Sequence, residues 1–178
     1  MIITCMNKLI DPDRKREIRK IAQNISSQYS LADFSSKDML EKIANKEKII
    51  LKEADLCDIS GILYKNKIGW KILVNMLDSQ TRKLFTIAHE LGHYFLHRTE
   101  ANRFIDGSLI SARDENQKYD QQELEANEFA GSLVMPETEI EKIVKKDNID
   151  EDTILTLAQK FSVSSLAMLT RLRNLKYV

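Results

Sequence analysis

The sequence predicts an α+β fold: a small antiparallel sheet packed against helices, followed by a C-terminal helical segment with a helix-turn-helix-like pattern. Two observations predict it. Apolar residues recur at helical spacing along most of the 178 residues, whereas residues 49–75 show the pattern of short strands. The length suffices for one hydrophobic core. Cys5 and Cys57 show neither metal-ligand nor redox spacing, so no disulfide is expected.

Start signals mark the first two helices. Asp11 and Pro12 open a helix whose apolar residues continue at helical spacing to Tyr29. The serines at 35–36 open a shorter helix that continues through Ala44.

Three short strands are predicted next, at residues 49–51, 61–64 and 69–74. In the third strand, apolar residues from Trp70 to Val74 alternate with a mixed set, so one face can pack on helices. The last two strands follow each other closely, and we expect an antiparallel sheet.

Two longer helices follow the strands. Asp78 or Ser79 can cap the first, which extends to about His97, and the second covers residues 121–135. Between them, residues 98–120 are polar and lack a clear period. Such a connection is either the rim or lid of a cleft or a simple surface loop.

Three further helical stretches complete the chain, at residues 137–146, 150–161 and 164–175. The last two and their tight turn are typical of a helix-turn-helix. We therefore predict a main domain at residues 1–146 and a helix-turn-helix-like segment at residues 147–178 that packs on it.

The first of the longer helices carries a candidate metal site. Residues four apart lie on one helix face, so His89 and His93 can bind one tetrahedral zinc ion. Glu90 lies close to that face and can take a proton from a water that zinc has made acidic, as peptide hydrolysis requires. The apolar neighbours would bury these side chains, at a cost that a metal offsets. Gly92 lowers helix propensity by up to ~1 kcal/mol relative to alanine, a cost tolerated where a neighbour packs closely.

A catalytic zinc ion needs a third protein ligand and an open position. Glu123 is the predicted ligand, because Asn127 follows one helical turn later and can accept a hydrogen bond from His89. Glu125 is the competing ligand, but it is rotated about 200° from Glu123 around the helix, so only one of them can bind. One turn after Glu125 comes Phe129, which cannot support a metal ligand.

A group that stabilises the oxyanion is also expected. His97 extends the histidine series, but it is about 12 Å from His89 along the helix axis and too far to share one metal. It either ends the helix or lines the cleft. His97, Tyr119 and Arg171 are the candidates for the oxyanion role, and the sequence does not rank them.

Two separated motifs, residues 85–97 (FTIAHELGHYFLH) and 123–136 (ELEANEFAGSLVMP), resemble the ImmA/IrrE metallo-endopeptidase family. Residues 72–75, Arg82 and residues 157–164 also look like that family, so the resemblance covers most of the chain. Two motifs in the right order are far more specific than either alone.

This resemblance implies a small α+β protease of the gluzincin type that holds one zinc ion per chain. It implies His89 and His93 as zinc ligands, Glu90 as general base and Glu123 as the third ligand. Thermolysin-like enzymes have an aspartate where this chain has Asn127, so the interaction with the ligand histidine would be neutral here.

The resemblance also implies a substrate. Relatives cleave helix-turn-helix repressors of the XRE type, often encoded beside them, so such a repressor is the expected protein partner. In gluzincins a substrate strand pairs with an exposed sheet edge near the zinc ion, and the strand that ends at Val74 and Asn75 is the expected edge.

Direct DNA binding is not expected of the C-terminal helices. A recognition helix presents base-reading side chains early, whereas Arg171 and Arg173 lie late in the last helix and acidic residues precede the pair. These helices are expected to pack on the main domain or to help dock the substrate. The competing interpretation is a non-catalytic metal-binding or DNA-associated regulator. A structural zinc site normally has four ligands rich in cysteine, which favours catalysis here.

Charge and hydropathy place further limits. The formal net charge of zero gives no general attraction to nucleic acid or anionic lipid. No apolar run approaches the ~20 residues of a membrane span. The N-terminal residues meet Asp11 before a signal-peptide core could form, so a cytoplasmic location is expected.

Overall fold

The computed structural model describes residues 9–29, 36–106, 116–144 and 149–178, and the side chains of residues 106 and 116–120 lie outside this description. Within these ranges the chain forms seven helices and four strands, which confirms the predicted α+β class. In chain order they are α1 (Pro12–Ser26), α2 (Ser36–Lys46), β1 (Ile50–Ala54), β2 (Gly61–Lys65), β3 (Trp70–Asn75), α3 (Gln80–His97), β4 (Arg103–Asp106), α4 (Asn116–Val134), α5 (Glu137–Glu141), α6 (Glu151–Phe161) and α7 (Ser165–Asn174).

The four strands form one mixed sheet in the order β1-β3-β2-β4. β2 pairs antiparallel with both β3 and β4. The expectation of a wholly antiparallel sheet is wrong for β1, which runs parallel to β3 from the Ile50–Lys71 pair to the Ala54–Asn75 pair. After β1 the chain crosses to the other side of β3 before it enters β2. Alternation within a strand fixes its buried face but not the order of strands, so the sequence did not reveal this crossing.

β3 is an interior strand, so its end at Val74 and Asn75 is not the exposed edge that was expected to receive a substrate strand. The outer strands are β1 and β4. Asn75 braces the β1–β2 connection instead: its Nδ2 donates to the carbonyls of Cys57 at 2.7 Å and Ile59 at 3.0 Å. Its Oδ1 accepts from the Leu77 amide, which fixes the turn towards α3.

Side-chain caps set several helix starts. A side-chain oxygen accepts a hydrogen bond from a first-turn amide at Asp11 of α1, Ser79 of α3, Asp150 of α6 and Ser164 of α7. These caps satisfy amides that have no partner within the helix. The predicted starts of these four helices are therefore confirmed.

α3 lies between the sheet and α4. Its residues 88–94 are all buried. On the sheet side, the Trp70 and Tyr94 rings meet edge-on with centroids 5.7 Å apart, and towards α4 the Phe95 and Phe129 rings stack at the same separation. A helix enclosed on both sides carries the polar residues of its middle turns into the protein interior.

The region 98–120 differs from its sequence prediction. β4 was not predicted, and α4 begins at Asn116 rather than at residue 121. β4 is short and polar at both ends, and its partner β2 is distant in sequence, so local periodicity could not identify it. Residues 107–115 belong to the connection that was expected to be either the rim or lid of a cleft or a simple surface loop, and they lie outside the described residues.

The C-terminal helices are tied to the rest of the chain by buried hydrogen bonds. The Ser36 hydroxyl of α2 donates to the Phe161 carbonyl at the end of α6 at 2.9 Å. The Arg171 guanidinium of α7 donates to the Met135 carbonyl at 3.1 Å and lies 3.3 Å from Glu128 Oε1 of α4. These contacts join α6 to α2, and α7 to α4 and to Met135.

The boundary between the two predicted units stays a prediction. α5 ends at Glu141, earlier than the predicted residue 146. Residues 145–148, which include the proposed division at residue 147, lie outside the described residues. In the turn between α6 and α7, Ser162 has a left-handed φ of 55°, which ends α6.

Two further observations concern membrane-spanning helices and the cysteines. No helix in the described ranges has the length and apolar character to cross a bilayer. Cys57 is an exposed free thiol, and Cys5 lies outside the described residues.

Candidate metal centre

α3 buries three polar side chains within little more than one turn. His89, Glu90 and His93 each expose 3% or less of their surface. The fully buried Ala88 and Leu91 lie beside them on the same helix. Buried imidazole and carboxylate groups are costly without partners, so the contacts of these three residues decide what the site can do.

Glu123 of α4 completes a cluster with the two histidines. Its Oε2 lies 3.1 Å from His89 Nε2, its Oε1 lies 3.1 Å from His93 Nε2, and the two Nε2 atoms are 3.0 Å apart. Ligand bonds of ~2.0–2.2 Å in tetrahedral geometry would place donor atoms roughly 3.3 Å apart. The donor set therefore fits a metal ion, and it is the one such cluster found in the described part of the chain.

The protonation states of this cluster suit metal binding. Burial lowers the pKa of His93 to about 4, and the neighbouring Glu123 only partly opposes this effect. Burial would raise the pKa of Glu123, but its contacts with His89 and His93 outweigh burial and lower that pKa to about 2. A neutral imidazole and an ionised carboxylate are the forms that bind metals.

Asn127 supports His89 from the side away from the cluster. Asn127 Oδ1 lies 3.1 Å from His89 Nδ1. When His89 offers Nε2 to a metal, its proton resides on Nδ1 and is donated to the amide oxygen. The structure thus places Asn127 beside the histidine that the sequence spacing indicated.

Glu125, the competing third ligand, contacts other groups. Its Oε2 lies 3.3 Å from His97 Nε2 and accepts hydrogen bonds from Arg14 of α1, at 2.9 Å from Nε and 2.7 Å from Nη2. Burial raises the pKa of Glu125, but the hydrogen bonds from Arg14 and His97 outweigh burial and lower it. Sequence reasoning missed this pairing because Arg14 and Glu125 are 111 residues apart.

His97 lies behind His93. It is buried, and its Nδ1 lies 3.2 Å from His93 Nδ1, on the side of the His93 ring away from Nε2. Phe104 of β4 stacks on the His93 ring with centroids 4.7 Å apart and an interplanar angle of 13°. Packing on two sides restricts the direction of His93 Nε2. Phe104 was not among the predicted site residues, since its only local signal is an aromatic residue beside Ile105 in a polar stretch.

Glu90 lies against the start of β2. A Cβ atom at Gly61 would come within 2.7 Å of Glu90 Oε1 and 2.4 Å of Thr86 Cγ2. Glycine at this position therefore makes room for the carboxylate beside the sheet. The contact joins two elements that are distant in sequence, so Gly61 could not be identified as part of the site from local pattern.

Gly92 permits the close approach of the two helices that supply the cluster. A Cβ atom there would lie 3.0 Å from both the Cα and the carbonyl oxygen of Ala126 in α4. The sequence predicted close packing at Gly92, and the structure identifies its neighbour. Because the histidines lie on α3 and Glu123 on α4, the separation of these helices sets the separation of the candidate ligands.

Gly92→Ala should push α3 and α4 apart. We expect the free energy of unfolding to fall by about 1–3 kcal/mol through overpacking, and metal to bind more weakly because both helices supply candidate ligands. Denaturant unfolding and metal titration measure the two effects. Gly131→Ala in α4 is the matched control, since the nearest atoms to its added Cβ are 3.9 Å away. Equal losses in both variants would contradict the role given to Gly92.

The other oxyanion candidates are placed differently. Arg171 donates hydrogen bonds to Glu128 and to the Met135 carbonyl, and burial lowers its pKa to about 10. Tyr119 lies near the start of α4, but its side chain is outside the described residues. His97 does contact the cluster, through His93.

Comparison with known proteins finds a matching family model, a related sequence and a similar structure. The family model of the IrrE N-terminal-like domain, Peptidase_M78, matches residues 46–173. Metallopeptidase ImmA of Bacillus subtilis (strain 168) is 30% identical over 95 residues, which cover 53% of this chain and 52% of that protein. The structure of a Mycobacterium tuberculosis transcriptional regulator has a TM-score of 0.56 at 16% identity and covers 91% of this chain and 47% of that one.

This chain spans about half the length of both matched proteins. The structural likeness at 16% identity shows the fold alone. The family match shows more than the fold, because it is a match of sequence. The matched residues run from the end of α2 into α7 and include both helices of the metal cluster. The chain therefore belongs to the IrrE N-terminal-like peptidase family, the ImmA/IrrE family that its two motifs resemble.

Proposed function

We propose that this chain is a zinc-dependent endopeptidase. The observation that carries the proposal is the convergence of His89 Nε2, His93 Nε2 and the Glu123 carboxylate within 4.8 Å of one another. The two histidines lie on α3, the helix that also buries Glu90, and Glu123 reaches them from α4. Catalytic zinc sites combine three such ligands with an open position, whereas structural sites are closed by four protein ligands. The Glu123 side chain is 20% exposed, so the cluster reaches solvent on the α4 side.

Each residue has a distinct role in the proposed reaction. His89, His93 and Glu123 hold the ion, which when bound would polarise the peptide carbonyl and acidify the attacking water. Glu90 takes the proton of that water and returns it to the leaving nitrogen. Asn127 keeps the proton of His89 on Nδ1, so that Nε2 stays available as a ligand.

The proposed substrate is an XRE-type helix-turn-helix repressor, encoded nearby and cleaved in the cytoplasm. The support for it is the resemblance of residues 85–97 and 123–136 to a family whose members cleave such repressors. In this proposal residues 1–146 form the metallopeptidase domain. Residues 147–178 pack on it and help dock the substrate.

A non-catalytic metal-binding or DNA-associated regulator is the second candidate. The feature that favours it is the helix-turn-helix-like pair α6 and α7 with its tight turn at Ser162. The charges of this pair weigh against DNA binding. Arg171 is buried against Glu128, and the first turn of α6 carries Glu151 and Asp152. We therefore favour the protease.

Metal removal tests the protease proposal directly. The zinc-loaded protein should cleave the neighbouring repressor at a small number of bonds, a chelator should abolish cleavage, and added zinc should restore it, because the ion activates both carbonyl and water. Mass spectrometry of the fragments identifies the bonds. Cleavage of an unstructured protein but not of the repressor would reject the substrate alone. DNA binding by a fully loaded protein without any proteolysis would establish the second candidate.

A further inference from the structure

A row of buried and partly buried contacts runs from the candidate metal ligands to helix α1. Behind His93, its Nδ1 lies 3.2 Å from His97 Nδ1. On the other side of that ring, His97 Nε2 lies 3.3 Å from Glu125 Oε2. Arg14 donates from Nε and Nη2 to the same carboxylate oxygen. The row thus joins α1, α3 and α4 behind one ligand.

Only one distribution of protons satisfies this row when His93 offers Nε2 to a metal. His93 must then carry its proton on Nδ1 and donate it to His97 Nδ1, which must be unprotonated. His97 therefore carries its single proton on Nε2 and donates it to Glu125. Glu125 accepts from His97 and from Arg14, so each donor in the row faces an acceptor.

We propose that His97, Glu125 and Arg14 form a positioning chain that fixes the tautomer and the ring orientation of His93 for metal binding. The proposal rests on the metal site of the proposed function. None of the three residues belongs to the cluster of candidate ligands, so they act through His93. Supporting hydrogen bonds of this kind orient ligand histidines and raise their basicity as ligands.

The two histidine ligands are supported differently. Behind His89, Nδ1 lies 3.1 Å from the oxygen of a neutral amide, that of Asn127. His93 is backed by a second histidine and then by an ion pair between a buried carboxylate and a partly exposed arginine. The positioning chain therefore makes the position of α1 a determinant of metal affinity, although α1 contributes no ligand.

The chain contains an internal control for this proposal. Glu128 also lies on α4, has the same 7% exposure as Glu125, and accepts a hydrogen bond from an α1 arginine, Arg19 Nε, at 2.6 Å. Glu128 also forms ion pairs with Lys15 and Arg171, so these partners are basic side chains and not histidines of the cluster. Loss of Glu128 weakens the attachment of α1 without touching the positioning chain.

The experiment compares zinc affinity in matched variants of the full chain, by competition with a chromophoric chelator. We expect Glu125→Gln and Arg14→Met to weaken zinc binding by about 10- to 100-fold, and Glu128→Gln and Arg19→Met to change it by less than about threefold. Visible absorption of the cobalt-substituted protein supplies a second readout. Its bands should change in the Glu125 and Arg14 variants and stay as in the wild type in the two controls.

His97 provides a rescue test. His97→Phe removes the acceptor for His93 Nδ1 and should weaken zinc binding, whereas His97→Asn can place an oxygen near the lost Nδ1 and should recover part of the affinity. The partly exposed Arg14 and Arg19 keep the comparison decisive if a buried variant fails to fold. Unchanged affinity in Arg14→Met, or equal losses in Arg14→Met and Arg19→Met, overturns the positioning chain. Because zinc affinity is measured without proteolysis, failure of the protease proposal would be seen separately.

Discussion

Glu90→Gln should retain bound zinc and lose proteolysis. Glutamine keeps the size of the side chain beside Gly61 but cannot accept and return a proton. Removal of a general base lowers kcat/KM by about 10²- to 10⁴-fold, so we expect cleavage of the repressor to fall in that range. His89, His93 and Glu123 are unchanged, so the zinc content should stay at one ion per chain.

Zinc content and cleavage must be measured on the same preparation. Elemental analysis gives the metal content, and a time course on gels gives the cleavage rate. Glu41→Gln, an exposed carboxylate on α2, is the control for the chemical change. A Glu90→Gln protein that holds zinc and cleaves as fast as the wild type would show that the proposed mechanism is wrong.

Glu123→Ala should lose the metal itself. Its carboxylate contacts both histidine Nε2 atoms at 3.1 Å, so its removal deletes one of three donors. A residue that only supports a ligand changes metal affinity by about 10- to 100-fold, and we expect the loss of a ligand to exceed that range. Proteolysis should disappear with the metal.

Glu125→Ala is the informative companion to Glu123→Ala. Both residues were candidates for the third ligand, and both lie near the middle of α4. Equilibrium competition for zinc, with the circular dichroism of each apo-protein as a folding check, ranks the two carboxylates. A larger loss in Glu125→Ala than in Glu123→Ala would exchange their roles.

Local chemistry made much of the fold predictable from the sequence. Caps such as Ser79 and Ser164 satisfy first-turn amides within a few residues, so helix starts can be read from short windows. The spacing of His89 and His93 is also local to one helix. The prediction of Glu123 as third ligand needed a further assumption. Its spacing from Asn127 is local to one helix, but its contact with the α3 histidines is a tertiary contact.

Features that depend on contacts between distant segments could not be predicted. The parallel pairing of β1 with β3 depends on how the chain crosses the sheet, which no alternation pattern encodes. The stacking of Phe104 on His93 depends on the pairing of β4 with β2. The ion pair of Arg14 with Glu125 joins two residues that are 111 positions apart in the sequence. Because of its contacts with Arg14 and His97, Glu125 is interpreted as a support for His97 and not as a metal ligand.

The candidate metal site can form only after most of the described helices and strands have been synthesised, because its residues lie far apart in the sequence. Arg14 leaves the ribosome early, His89 and His93 follow, and the helix that carries Glu123 and Asn127 comes last. Contacts between distant residues form slowly because loop closure costs entropy before the contact is made. A nascent chain that ends before α4 lacks the third donor altogether. The three-donor cluster therefore cannot assemble before α4 has been synthesised.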